Sequence, residues 1–273
     1  MKYFVTSGCS FTHDSPTWAD FLADSQKAKL YNVAMSGAGN HIISCELIRQ
    51  IEKLLESGIL KKDICAIVQW SGMHRFDMVV SKHHIKNPQR LVNEANGAPQ
   101  RRFDAPALTE NCWIMDAGSK DKCVWPEVYR VVSKEQAFIQ TIEQVLRVQW
   151  YLKSKNIKYK MFSGWDIFTD GPVYKIQQDH ITCGNQFIDK DYSNIEHALL
   201  KENCKWFGYL FDMVDWEHFW TFNDDKIKLG GQLQWIRANL EPIDQFKTLY
   251  DFHPSRAAHQ RFALEVLREI IDD

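Results

Sequence analysis

The sequence predicts an α/β fold in which a parallel sheet carries helices on both faces, and three observations lead there. Short apolar segments alternate with longer ones whose apolar residues recur at helical spacing, the order that builds parallel sheets. Residues Ile64 to Trp70 are apolar almost without a break, as in a strand covered on both faces. No internal repeat and no linker-like stretch divides the 273 residues. A single domain over 1–273 is therefore expected, long enough to bury a sizeable core.

Tyr3 to Thr6 reads as the first strand, cut short by Ser7-Gly8-Cys9-Ser10. Ser15 before Pro16 reads as a cap followed by a first-turn proline, opening a helix through Trp18, Phe21 and Leu22. Leu30 to Ala34 is the expected second strand, ending in Ser36-Gly37-Ala38-Gly39-Asn40. Ile42, Ile43, Leu47, Ile48, Ile51, Leu54 and Leu55 then mark one face of a long helix, for which Asn40 is the natural N-cap. After the strand at 64–70, residues 76–130 lose periodicity and read as an inserted excursion. Ser133 to Lys155 reads as a helix with Phe138, Ile142, Val145, Leu146 and Trp150 on one side, and Tyr159 to Ser163 as a fourth strand. Residues 165–245 hold five of the ten tryptophans and read as a second, aromatic-rich insertion, core or lid for the most part. His253-Pro254-Ser255 leads into a last helix bearing Phe262, Ala263, Val266, Leu267 and Ile270.

Composition excludes several functions. Charged residues are 25% of the chain and the net charge is −2, so no broad basic surface exists to hold a nucleic-acid backbone. No apolar run approaches the roughly 20 residues of a membrane span. Met1-Lys2-Tyr3 runs straight into the first strand, so no signal peptide and a cytoplasmic location are expected. The seven cysteines (9, 45, 65, 112, 123, 183, 204) form no C-x-x-C repeat and read as reduced, mostly buried thiols. His180 and Cys183 have a ligand-like spacing with no second pair to complete it, so no metal site is expected.

In a parallel sheet, ligands bind beyond the carboxyl ends of the strands. Ser10 follows the first strand, and Gly37 and Gly39 follow the second, where bare backbone N–H groups can approach a substrate. Asp251 and His253 precede the last helix; in extended chain, residues two apart point the same way. Order and position thus form a Ser10, His253, Asp251 set for acyl transfer. Cys9 is the rival nucleophile, but no cation flanks it in sequence to lower its pKa. His74 and His259 are expected at the surface or behind the site, and Arg75 in an ion pair or on an anionic substrate.

The segments "GCSFT", "NVAMSGAGN", "IVQWSGMHR" and "DFHPSRAAHQRFA" resemble the four blocks of the SGNH (GDSL-type) hydrolase superfamily, closest to a divergent, often phage-encoded subgroup with GCSFT and DxHPS blocks. The resemblance implies a flavodoxin-like three-layer α/β/α fold and ester hydrolysis without metal or cofactor. It makes Ser10 the nucleophile, His253 the base and Asp251 its orienter, with backbone N–H groups of Ser10 and Gly37 in the oxyanion hole. Three departures stand out. Trp70-Ser71-Gly72-Met73 lacks the third-block Asn, a role for which Asn40, Ser71 or His74 are the stand-ins. Tyr250 holds the place three before the histidine where the family has Asp, and Cys9 stands where the first block has Asp. The expected substrate is a small acyl ester or an acetylated glycan. The alternatives are a catalytically inactive binding or structural protein, carried in a virion with an assembly partner, and an O-acyltransferase.

Overall fold

The computed structural model describes residues 2–73, 75–81, 111–116, 133–168, 207–225, 227–248 and 251–272. In chain order these form β1 (Tyr3–Ser7), the single turn α1 (Ser10–His13), α2 (Trp18–Ser25), β2 (Lys29–Asn32), α3 (Asn40–Glu56), β3 (Ile64–Trp70), β4 (Phe76–Ser81) and β5 (Asn111–Asp116). There follow α4 (Lys134–Lys155), β6 (Lys158–Ser163), α5 (Gly208–Asp212), β7 (Phe219–Trp220), α6 (Gln232–Asn239), α7 (Pro242–Gln245), β8 (Phe246–Thr248) and β9 (Asp251–Pro254). The chain ends in α8 (Arg256–Phe262), continued by a π-helical stretch (Ala263–Leu267) and α9 (Arg268–Asp272).

Five strands make one sheet in the order β2-β1-β3-β6-β7, and every pairing in it is parallel. The pleat sorts its side chains into two cores. Val5, Ala66, Val68, Trp70, Tyr159, Met161 and Phe219 pack with α3, α4 and α5 on one face. Phe4, Cys65, Ile67 and Phe162 pack with α2, α6 and α8 on the other. This alternation is what a strand period of two imposes when both faces are covered, and it makes the architecture three-layered α/β/α. All seven residues of β3 are buried, as its continuous apolar run requires. Because β1 has β2 on one side and β3 on the other, chain crossings diverge to opposite faces at β1. The crevice there is where such sheets bind ligands.

Several boundaries move from the expected places. The first long helix begins at Trp18 rather than after Ser15: Thr17 caps it, with Asp20 accepting from the Thr17 N–H at 2.7 Å. A carboxylate three residues on completes a capping box, which Ser15 lacks. The second strand is Lys29–Asn32, because Asn32 turns the chain, donating to Thr12 O at 2.6 Å and accepting from Ala34 N–H at 3.1 Å. Ser133, read as the first residue of the next helix, is its N-cap instead, accepting from Gln136 N–H at 3.1 Å. Trp150 leaves the expected apolar face and is 51% exposed, whereas the neighbouring Gln149 is buried to bond Met213 O and Asp215 N–H. Residues 165–245 are not wholly an insertion, since β7 pairs with β6 and α6 covers the sheet. The excursion at 76–130 contributes the antiparallel hairpin β4–β5 and otherwise lies outside the described residues, as do His74, Tyr250 and the His180/Cys183 pair. Among the described residues no helix is long and apolar enough to cross a membrane.

The start of α3 differs most. Asn40 is its first residue, not its cap; Gly39 holds the cap position and has no side chain to cap with. Asp77, from β4, substitutes: the Ile42 N–H donates to its carboxylate and the Gly39 N–H faces it. Glycine is required by that approach, because a Cβ at residue 39 would lie 1.8 Å from Asp77 Oδ1 and 2.3 Å from Arg75 O. Burial pushes the Asp77 carboxyl up from 3.8 to about 6, against the backbone donors and the charges of His41 and Arg75. The folded protein therefore holds this proton more tightly than the unfolded chain. The associated stability is fully present below the unfolded value and is lost as pH rises through about 6. Urea unfolding of wild type and Asp77→Asn across this range checks it. The wild type's stability relative to the variant should fall as pH rises from about 4 to about 7, whereas a constant difference would contradict the assignment.

Candidate active site

Ser10 opens α1 at the carboxyl end of β1, with Cys9 in the cap position. The Ser10 N–H is thus one of the first-turn donors that a helix leaves without an intrahelical acceptor. Thr12 N–H and His13 N–H both close on Cys9 O at 3.0 Å, which tightens the turn. The loop carrying Gly37 is tied to the same place, because Met35 N–H donates to Gly8 O at 3.0 Å. Gly37 itself has a φ of +84°, a conformation that favours glycine, in a turn closed by Ala38 N–H on Met35 O.

The C-terminal end of the chain arrives from the opposite direction. Ser255 caps α8, accepting from Ala258 N–H at 3.0 Å, and its own N–H donates to Gln245 O at 3.1 Å. The preceding strand β9 pairs antiparallel with β8 and presents His253 to α1. His253 Nε2 lies 2.7 Å from Ser10 Oγ, across 243 positions of sequence. On its other side, His253 Nδ1 bonds Asp251 Oδ1, and the same oxygen accepts from the His253 N–H at 3.0 Å. Asp251 therefore bonds both the local backbone and the imidazole. Desolvation raises its pKa, but the two His253 donors, the His253 charge and Lys247 outweigh it and hold the carboxyl below the usual carboxylate value. An ionised Asp251 at Nδ1 fixes the tautomer that leaves Nε2 free to accept the serine proton. Phe11 packs edge-on against the imidazole at 5.4 Å and against Trp165 at 5.5 Å, limiting how far the ring can turn.

Asn40 is not brought to this cluster as a donor. Its amide gives one hydrogen to Ser71 O at 3.0 Å and the other to Thr141 Oγ1 at 3.2 Å, while Ser71 N–H donates back to its Oδ1 at 2.8 Å. Wedged between α3, the exit of β3 and α4, the carboxamide satisfies itself internally, so it ties two loops together. Ser71 Oγ is buried with no partner among the described residues. Cys9 is fully buried, its Sγ 3.6 Å from Gln69 Oε1, so it packs beneath the turn. Arg75 forms no ion pair with a described residue; its guanidinium lies over the Trp165 ring at 5.2 Å.

Gln69, which the sequence reading missed, supports the turn together with His259, which lies behind the site, one of the two places expected for it. Gln69 interrupts the apolar run of β3 with a fully buried amide. Thr12 Oγ1 donates to its Oε1 at 2.7 Å, and its Nε2 donates to Gln232 Oε1 at 2.7 Å. Trp18 Nε1 donates to Thr12 Oγ1 at 3.1 Å, and Gln232 Nε2 meets His259 Nδ1 at 3.5 Å. His259 is thus not at the surface: burial, with the charges of Lys247 and His253, pushes it down to about 3, so this network is neutral. The signal was available as a lone polar residue inside a strand otherwise covered on both faces. At the rim, Asp14 accepts from Ser36 Oγ at 3.0 Å, contacts His13 at 2.7 Å and has Lys247 3.8 Å away, joining α1, the β2 loop and the β8–β9 hairpin.

Compared with known proteins, the chain matches no protein-family model and no curated protein. One test addresses the support beneath Ser10: Gln69→Leu strands the Thr12 hydroxyl and the Gln232 amide in a dry interior, and should cost about 2 to 3 kcal/mol. Urea midpoints measure it; a cost under about 0.5 kcal/mol would mean that the network does not hold the turn.

Proposed function

We propose that the chain is a serine ester hydrolase of the SGNH type, removing acyl groups, O-acetyl groups of a carbohydrate among them. The observation that carries this reading is the continuous hydrogen-bonded series Ser10 Oγ, His253 Nε2, His253 Nδ1, Asp251 Oδ1. A hydroxyl, a base within hydrogen-bond reach of it and a carboxylate orienting that base are the parts an activated nucleophile needs.

In this mechanism Ser10 Oγ attacks the acyl carbonyl carbon while His253 Nε2 takes its proton. The carbonyl π electrons move to oxygen, and the backbone N–H groups of Ser10 and Gly37 meet the oxyanion. Collapse of the tetrahedral species breaks the bond to the alcohol, which leaves with the proton from His253. Water, deprotonated by His253, then attacks the Ser10 ester, and the carboxylic acid departs as Ser10 recovers its proton. Asp251 stays ionised throughout and stabilises the transient imidazolium.

A second reading is a protein that keeps this fold to bind an acylated ligand, or to assemble into a virion, without turnover. One observation favours it. The family's third-block Asn is absent, and the amide of Asn40 is spent on Ser71 and Thr141, so one oxyanion donor is missing; such a loss costs about 10²–10³ in turnover.

Steady-state hydrolysis of p-nitrophenyl acetate and of acetylated glycans separates the two. Wild type should turn over, and Ser10→Ala should lose about a thousandfold or more in kcat. Equal rates for both proteins would remove Ser10 from the chemistry.

A further inference from the structure

We propose that Arg75 forms a subsite for a carboxylate, so that the ester carried to Ser10 is that of an acidic carbohydrate. This inference rests on the esterase reading and adds the substrate class to it. Arg75 follows β3 at the carboxyl edge of the sheet, the edge that also carries Ser10. Its guanidinium lies 5.2 Å from the Trp165 ring centroid, Trp165 packs against Phe11 at 5.5 Å, and Phe11 against the His253 imidazole at 5.4 Å. Two aromatic rings thus lie between cation and base. Trp165 and Phe11 are both buried, so the guanidinium rests on a packed support.

The charge on Arg75 is incompletely matched. A guanidinium has five N–H donors, yet among the described residues Arg75 makes no ion pair, and its Nη1 is buried without an acceptor. The nearest acid in sequence, Asp77, feels the Arg75 charge without pairing with it, its carboxylate being bonded by the Ile42 N–H at the start of α3. A half-buried cation held on an aromatic face gains from an anion arriving at its exposed side what solvent supplies only in part. The planar fork suits a carboxylate, which can take two parallel N–H bonds while the guanidinium face stays on Trp165. With a net charge of −2 and no broad basic surface, a single Arg reads one negative group rather than a polyanion.

The probes are glucuronate and its uncharged methyl ester, titrated into Ser10→Ala protein with tryptophan fluorescence or NMR as readout. Their mono-O-acetyl derivatives serve as substrates for the Ser10-containing protein. Glucuronate should bind about tenfold or more tighter than the methyl ester, and acetyl-glucuronate should show a similar advantage in kcat/KM over its methyl ester. Arg75→Gln should abolish both preferences, while Arg75→Lys keeps part of them. The wild-type acid-to-ester ratio needs no variant, so it decides even if Arg75→Gln fails to fold. Acid preference in binding without any hydrolysis supports the subsite and counts against the esterase reading alone. Hydrolysis of both substrates at equal efficiency, or a preference that survives Arg75→Gln, overturns the subsite and leaves the esterase reading standing.

Discussion

The carboxamide of Gln69 is the constraint on which the candidate site depends. It sits at the penultimate position of the central strand, fully buried, where an unpaired amide would cost more than any ordinary hydrogen bond returns. Its oxygen is met by Thr12, two residues past Ser10, and its nitrogen by Gln232 on α6, which in turn approaches His259 on α8. A single side chain therefore couples the turn that carries Ser10 to the helical layer that follows His253. The elements meeting at Ser10 are otherwise far apart in sequence, and hydrophobic burial alone does not specify their register; a dry network with directed partners does.

The electrostatics of the edge follow from which groups are dry. Asp251 lies partly in solvent and against two donors from His253, so it remains an anion and orients the ring. Asp77 is sealed in, so its proton affinity rises although two backbone N–H groups face it. His259, equally sealed, is kept neutral. The two carboxyls, Asp251 and Asp77, differ in surroundings and not in chemistry. The arrangement around His253 leaves a ring nitrogen beside the Ser10 hydroxyl.

The parallel sheet was legible because each strand must be apolar on both faces while each covering helix needs one apolar stripe. Ile64–Trp70 and the face from Ile42 to Leu55 follow those rules closely. Ser10, Asp251 and His253 were legible as a set because the ends of β1 and the start of α8 must share one edge of such a sheet. What the sequence hid were interactions between distant segments. Asp77 caps α3 from 35 residues beyond Ile42, so Asn40 looked like the cap and like a free donor, when its amide bridges the exit of β3 and α4. Trp150 looked like a core residue by spacing, but Gln149 has two backbone partners, Met213 O and Asp215 N–H, on the α5 side. The two-residue strand β7 is too short to show a period.

The central claim is that the Ser10 hydroxyl is made nucleophilic by the imidazole 2.7 Å away. Labelling with a fluorophosphonate, followed by peptide mass spectrometry, measures that nucleophilicity without reference to any substrate. The account predicts one adduct per chain, on Ser10, forming at least about a hundredfold more slowly in His253→Gln. An unlabelled Ser10, an adduct on Cys9 instead, or labelling at the same rate without the imidazole would contradict it.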